Sequence, residues 1–336
     1  MDKKDQNSRI DSSSVQEVNV KRYFDDVETS YNPDKSLDPD RESEIQQKEG
    51  FSSIYLCPLD HNGNNSYIKE WKADKDYRPS IVLLHDLGRS MNPYKQLSKS
   101  LNEAGFHVFC VDLRSHGYSS VSKELSSFMQ LVTDLLQVVA WSRYRTEGRQ
   151  PPVILADGFS ALVSIYFAKL YPSYCSSLIL SNPVMEFPIR ISRTLKVFVK
   201  LLSKCRSSLP CSPVVFVNKI QERLSDFIKS GLEKYNEFEF ASIDQVCSSF
   251  TVKFIDDLIS ATYGSFEAFQ GIRENTLILN PKNERMSEIG LFMLEEHLDK
   301  TKINIKEFDS KYSLSSSDYK DELVKVIKEW YDKLYK

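Results

Sequence analysis

The residues able to do chemistry near neutral pH are few and scattered. Five histidines, His61, His85, His107, His116 and His297, are the only side chains whose ordinary pKa suits a general base at pH 7. None of them follows residue 297. The six cysteines, Cys57, Cys110, Cys175, Cys205, Cys211 and Cys247, form no CxxC pair and have no nearby histidine partner. That argues against zinc and suits a reducing compartment. No GxxxxGK phosphate loop, no GxGxxG dinucleotide loop and no metal triad occurs, so no cofactor is expected. One stretch, RISRTLKVFVKLLSKCR (Arg190 to Arg206), carries six basic and no acidic residues, interleaved with Ile191, Leu195, Phe198, Val199 and Leu202. Such a basic amphipathic helix suits an anionic membrane surface or an acidic protein; the plainer reading is a helix packing its apolar face on the elements below it.

The elements around these residues follow from hydrophobic periodicity. FSSIYLCPL and SYIKEWKA alternate apolar and polar residues, as half-buried strands do. SIVLLHD (80–86), FHVFCVDL (106–113), PPVILAD (151–157), SSLILSNP (176–183), NTLILNP (275–281) and INIKEFD (303–309) read as further strands, several of them apolar throughout and therefore covered on both faces. Helical spacing fills PYKQLSKSLNEAGF, 122–145, 158–171 and 316–335. Strands alternating with helices predict a mostly parallel sheet with helices on both faces. Residues 184–270 break that rhythm. They read as a helical insertion over the carboxyl ends of the strands, where open α/β sheets bind ligands.

Composition sets the outer bounds. At 336 residues the chain is long enough for two domains, or for one large α/β domain with an insertion. A net charge of −3 and a pI near 6.0 argue against nucleic acid as a partner. No apolar run approaches the roughly 20 residues of a membrane helix. The opening MDKKDQNSRIDSSS lacks a signal-peptide core and is too acidic for a transit peptide, so the expectation is a cytoplasmic protein, with peripheral membrane contact through the basic stretch left open. Residues 1–50 have a net charge of −5 and three aromatics, and read as a disordered acidic tail. The predicted order is therefore a tail (1–50), a first core part (51–183), a helical cap (184–270) and a second core part (271–336).

Five segments together resemble the α/β-hydrolase superfamily, and within it the monoacylglycerol-lipase-like, serine-aminopeptidase-like lysophospholipases. HDLG (85–88) resembles the HGxG turn, and DLRSHGYSS (112–120) the DxRGHGxS loop. PPVILADGFSALVSIYFAKLYP resembles the nucleophile strand, elbow and helix. LILNPKNERM (277–286) resembles the segment that carries the acid, and KEFDSKYSLSSSDYKDELVKVIKEW (306–330) the last strand, the histidine loop and the closing helix. The resemblance spans about residues 51–336 and implies an eight-stranded, mostly parallel α/β-hydrolase sheet with a helical cap.

Carried over residue by residue, the family's catalytic positions hold other side chains. The small-x-nucleophile-x-small pattern falls on Ala156-Asp157-Gly158-Phe159-Ser160, which puts Gly158 at the nucleophile position. A rival register, Gly158-Phe159-Ser160-Ala161-Leu162, restores Ser160 as nucleophile but sets Leu162 where a small residue is wanted. The acid position falls on Glu284 and the histidine position on Ser313, beside Tyr312. The oxyanion and pocket region would comprise His85, Asp86, Leu87, Asp157 and Phe159. Asp86 and Asp157 are each expected to face solvent, with a turn cap as the alternative for Asp86; together with Glu284 they could also hold a cation or an amine. Arg114 is expected to pair with a carboxylate or carbonyl, and Gly117 to take a positive φ. Three readings stay open: a non-catalytic protein that keeps a pocket for a lipid-like or acyl ligand, an active lysophospholipase or carboxylesterase using Ser160 with His85 or His116 as base, and an interaction module acting through Arg190–Arg206.

Overall fold

The computed structural model describes residues 52–60, 63–73, 78–119, 124–147, 150–185, 193–205, 249–282, 301–309 and 312–335. All belong to the larger of two units into which the chain divides, Leu37–Lys336. The predicted tail, His61, Glu284, His297 and the ends of the basic stretch at Arg190 and Arg206 lie outside the described residues.

An eight-stranded sheet organises the core. Its strands are β1 (Ser52–Pro58), β2 (Asn65–Trp71), β3 (Ile81–Leu84), β4 (Val108–Val111), β6 (Val153–Asp157), β7 (Ser177–Ser181), β9 (Asn275–Pro281) and β10 (Ile303–Phe308); a separate pair is formed by β5 (Glu124–Leu125) and β8 (Ser249–Phe250). The order across the sheet is β1-β2-β4-β3-β6-β7-β9-β10. β1–β2 and β2–β4 are antiparallel, and every other pairing is parallel. The four central strands β3, β4, β6 and β7 are buried at every residue, which explains why their sequences do not alternate. The edge strand β1 alternates over Ser52–Tyr55.

The helices are α1 (Lys95–Glu103), α2 (Phe128–Arg145), α3 (Phe159–Leu170), α4 (Arg193–Cys205), α5 (Val252–Tyr263), α6 (Ser265–Gln270) and α7 (Lys320–Leu334). One face of the sheet presents Ile81, Leu83, Val108, Cys110, Val153 and Leu155 to α1 and α7, where Leu101, Leu323, Ile327 and Tyr331 complete the core. The other face carries the alternate residues; there Phe109 of β4 packs edge-on against Trp141 of α2, with ring centroids 5.4 Å apart. Among the described residues no helix is long and apolar enough to cross a membrane.

The predicted helix over 122–145 is corrected at its start. Glu124 and Leu125 pair with Ser249 and Phe250, and Ser127 is extended (φ −155°, ψ 142°), so the helix begins at Phe128. Its first turn is capped from another helix: the Asp257 carboxylate accepts from the Ser127 hydroxyl (2.7 Å) and the Phe128 N–H (3.3 Å). The last helix is likewise preceded by a 3₁₀ turn, Ser317–Tyr319. Of residues 184–270, the described parts are Val184–Met185, α4, β8, α5 and α6; α5 packs on α4 and α2, and α6 on α3.

Candidate functional site

The parallel register brings the ends of three strands together. Leu84 of β3 lies beside Ala156 of β6, and Asp157 of β6 beside Ser181 of β7. The chain leaving β3 (His85, Asp86, Leu87) therefore emerges next to the bend after β6. That bend is Gly158, with φ 54° and ψ −115°, immediately ahead of α3. Its N–H donates to the Ser181 carbonyl at 2.9 Å, which fixes the turn against β7. Only glycine takes this left-handed conformation without steric cost.

Asp86 fills the space over Gly158. A Cβ built on Gly158 would overlap the Asp86 carboxyl group. Asp86 Oδ1 accepts from the N–H of Phe159 at 2.7 Å and from the N–H of Leu87 at 2.8 Å. The carboxylate thus bridges the loop after β3 and the start of α3, and it is 4% exposed rather than turned to solvent. This corrects the solvent-facing expectation. The N–H donors at the head of a helix favour a negative charge, so this position is locally well matched to a carboxylate.

Asp157 is buried as well, again against expectation. Its carboxyl accepts from the Tyr94 hydroxyl (2.8 Å) and the Ser181 hydroxyl (2.9 Å), with the Arg89 guanidinium 3.8 Å away. Burial raises its pKa and the Asp86 charge adds to the rise, while Arg89 and the two hydroxyls work against it. Arg89 also donates to the Ser315 hydroxyl at 3.2 Å. Ser313, at the carried-over histidine position, hydrogen-bonds Ser315 at 2.8 Å. Ser313 and Tyr312 line one small cavity with Asp86, Arg89, Asp157, Ser181 and Asn182.

Ser160 lies in the first turn of α3, fully buried, and its hydroxyl donates to the His85 carbonyl. Neither neighbouring imidazole is directed at it. His85 Nδ1 meets the Asp86 carbonyl (2.7 Å) and Nε2 accepts from the Leu113 N–H (3.0 Å). His116 Nδ1 meets the Arg114 carbonyl (2.8 Å) and Nε2 accepts from the Gly88 N–H (3.0 Å). Each ring thus staples the backbone of the other's loop, and the partners select the neutral tautomer protonated on Nδ1. Burial pushes His85 down to about 3, with His116 as a further cause, and pushes His116 down to about 4. Both remain uncharged at neutral pH. His107, the residue just before β4, is paired with Glu70 at 2.7 Å.

The surrounding loop is held by buried charge. Asp112 accepts from the N–H groups of Met91 (2.7 Å) and Tyr118 (2.9 Å), and burial raises its pKa to about 7. Gly117 has φ 54°, and a Cβ there would overlap the Asp112 carboxyl. Arg114 forms a two-pronged pair with Asp134, both contacts at 2.7 Å, and reaches Asp60 at 3.0 Å. Sequence reading passed over Arg89, Tyr94, Ser181 and Asn182. Ser181 and Asn182 were accessible as the residues ending β7 once its register with β6 was assumed; Arg89 and Tyr94 carry no such signal. Among the described residues no cluster of three His, Cys, Asp or Glu is placed to hold a metal ion.

The sheet order and the tight turn between β6 and α3 define an α/β-hydrolase fold. Residues 75–292 match the family model described as Serine aminopeptidase, S33, and the chain belongs to that family. Among curated relatives it is 24% identical over 144 residues to a monoacylglycerol lipase of Mycolicibacterium smegmatis, covering 42% of this chain and 50% of the relative. It is 26% identical over 178 residues to a monoglyceride lipase of Rattus norvegicus, covering 52% and 56%. The chain thus spans about half the length of the curated relatives it matches. Its fold superposes on a carboxyl esterase from Bacillus coagulans with a TM-score of 0.65 at 14% identity, covering 84% of this chain and 98% of that one.

The overlap at the bend gives a thermodynamic test. Gly158→Ser is expected to cost about 2 kcal/mol or more, from the left-handed φ and from displacing Asp86. Combining it with Asp86→Gly removes the second part, so a double-mutant cycle by urea denaturation should give a coupling of about 1–3 kcal/mol. Strictly additive effects would show that the carboxyl group does not occupy that space.

Proposed function

We propose that this α/β-hydrolase-fold protein is a non-catalytic member of its family that binds a ligand or partner. The observation that carries the reading is Asp86. In active α/β-hydrolases the oxyanion of the tetrahedral intermediate is held by the N–H of the residue after the nucleophile and by an N–H from the loop after the third strand. With Gly158 read as the nucleophile position, the corresponding donors are Phe159 and Leu87, and the carboxylate of Asp86 is bonded to both. A resident negative charge there opposes a second one by about 1–4 kcal/mol per close pair in a partly wet site.

Other features support the same reading. Gly158 offers no hydroxyl, and Ser160 directs its hydroxyl into the main chain. His85 and His116 have both ring nitrogens engaged with the backbone. Ser313 stands at the carried-over histidine position. Without a nucleophile and its base, the rate falls by several orders of magnitude. We read residues 184–270 as a cap and a lipid-like or acyl molecule as the ligand class, the latter on the strength of the monoacylglycerol-lipase relatives. A fluorophosphonate probe should leave the protein unlabelled, and p-nitrophenyl butyrate should not be hydrolysed above background. Labelling that disappears in Ser160→Ala would overturn this reading in favour of an active serine ester hydrolase.

A second reading concerns α4. Val197, Phe198 and Leu201 are 59%, 41% and 57% exposed, on a helix that also exposes Arg193, Lys200 and Lys204. Lys196 lies over the Tyr263 ring of α5, at 3.2 Å from its centroid. Exposed apolar side chains flanked by cations favour an anionic lipid surface as the partner. Co-sedimentation with phosphatidylserine-containing vesicles should fall at least several-fold on charge reversal at Lys196, Lys200 and Lys204; binding unchanged by the reversal would rule out α4 as the contact.

A further inference from the structure

The small cavity beside Asp86 offers hydrogen-bonding groups of both polarities. Its volume, measured for the centre of a water molecule, is about 10 Å³, which admits about one water-sized group. Asp86 and Asp157 bring carboxyl oxygens, which accept from main-chain N–H groups and from hydroxyls. Arg89 brings a guanidinium, which has donors alone. Ser181, Ser313 and Tyr312 bring hydroxyls, which both donate and accept.

Asn182 completes the lining and supplies an independent observation. It follows β7 directly, is held in a left-handed conformation (φ 45°), and is 8% exposed. Its Oδ1 is a buried acceptor with no hydrogen-bond partner among the described residues. Buried polar atoms are ordinarily paired, either within the protein or with a bound group. A carboxamide sets an acceptor oxygen beside a donor NH₂ group. A hydroxyl oxygen complements either end, because it donates and accepts through one atom. A carboxylate or phosphate oxygen has no proton to give Asn182 Oδ1. An ammonium group has no lone pair to take a proton from the guanidinium or from the carboxamide NH₂.

We propose that this cavity is a subsite for one neutral hydroxyl group, supplied by water or by the alcohol end of a ligand, and anchored by the Asn182 carboxamide. Hydrogen-bond polarity and size select that group whichever protonation state Asp157 adopts, since a carboxyl and a carboxylate both accept from a hydroxyl. The alcohol source rests on the reading of the protein as a ligand binder; the water source does not. On that reading the subsite narrows the ligand class to a lipid-like molecule with a free hydroxyl, and it disfavours free carboxylic acids and amines.

The test uses four eight-carbon probes that differ in head group: octan-1-ol, octanoate, octylammonium, and methyl heptyl ether, which accepts but does not donate. Calorimetric titration of the full chain should show octan-1-ol binding about fivefold or more tighter than each of the others. Asn182→Gly, which suits the left-handed backbone and removes the carboxamide, should weaken octan-1-ol about fivefold and leave the ether unchanged. Crystals of the full chain grown without alcohol should show one water within about 3.2 Å of the Asn182 carboxamide, and the alcohol oxygen in its place after soaking. If no probe binds while that water is present, the hydroxyl subsite stands with water as its source and the ligand-binding reading fails. Octanoate or octylammonium binding as tightly as octan-1-ol, octan-1-ol binding unchanged in Asn182→Gly, or crystals with no oxygen at that position would each overturn the proposal.

Discussion

The site is organised by one carboxylate meeting two main-chain N–H groups. Asp86 Oδ1 joins Phe159, at the head of α3, to Leu87, on the loop leaving β3. Buried at 4% exposure, that charge would be costly without donors, and the donors would be costly without an acceptor. Each resolves the other's demand. The consequence is geometric: the carboxyl group can reach the amides only by passing over Gly158, where any side chain would obstruct it. The glycine and the aspartate therefore belong to one arrangement, and neither position can be understood from its residue type alone.

The neighbouring polar groups follow from the same close approach of strand ends. Asp157 needs partners because β6 carries it into the interior beside Asp86, and Tyr94, Ser181 and Arg89 supply them. His85 and His116 are drawn in differently. Each imidazole bridges a carbonyl on its own loop and an N–H on the other loop, and burial keeps both neutral. Imidazoles used in this way serve as rigid neutral connectors between two loops. Proton transfer to either would disrupt the main-chain contacts that position the bend.

Much of the architecture was legible in the sequence because burial leaves a periodic trace. The continuous apolar runs IVLL and VILA mark central strands, and the alternation at the start of SSIYLCP marks an edge. The error at 124–127 arose where local spacing was helical but Glu124–Leu125 instead pair with Ser249–Phe250. At the site, the motif pattern placed Gly158, Asp86 and Ser313 in one region, yet the orientation of Asp86 was misjudged. A carboxylate in an oxyanion-like turn reads as exposed when its partners are main-chain N–H groups, since these have no sequence signature. Arg89 and Tyr94 were missed for a related reason: their roles depend on three-dimensional proximity to Asp157, sixty-odd residues away. Glu284 lies outside the described residues.

The position of the Asp86 side chain is tested most directly by a crystal structure of the full chain that resolves the bend after β6. Continuous density for Asp86 is expected over Gly158, with one carboxyl oxygen in hydrogen-bonding range of both amides. An Asp86 side chain rotated away, with the Leu87 and Phe159 amides facing water or an open pocket, would contradict it.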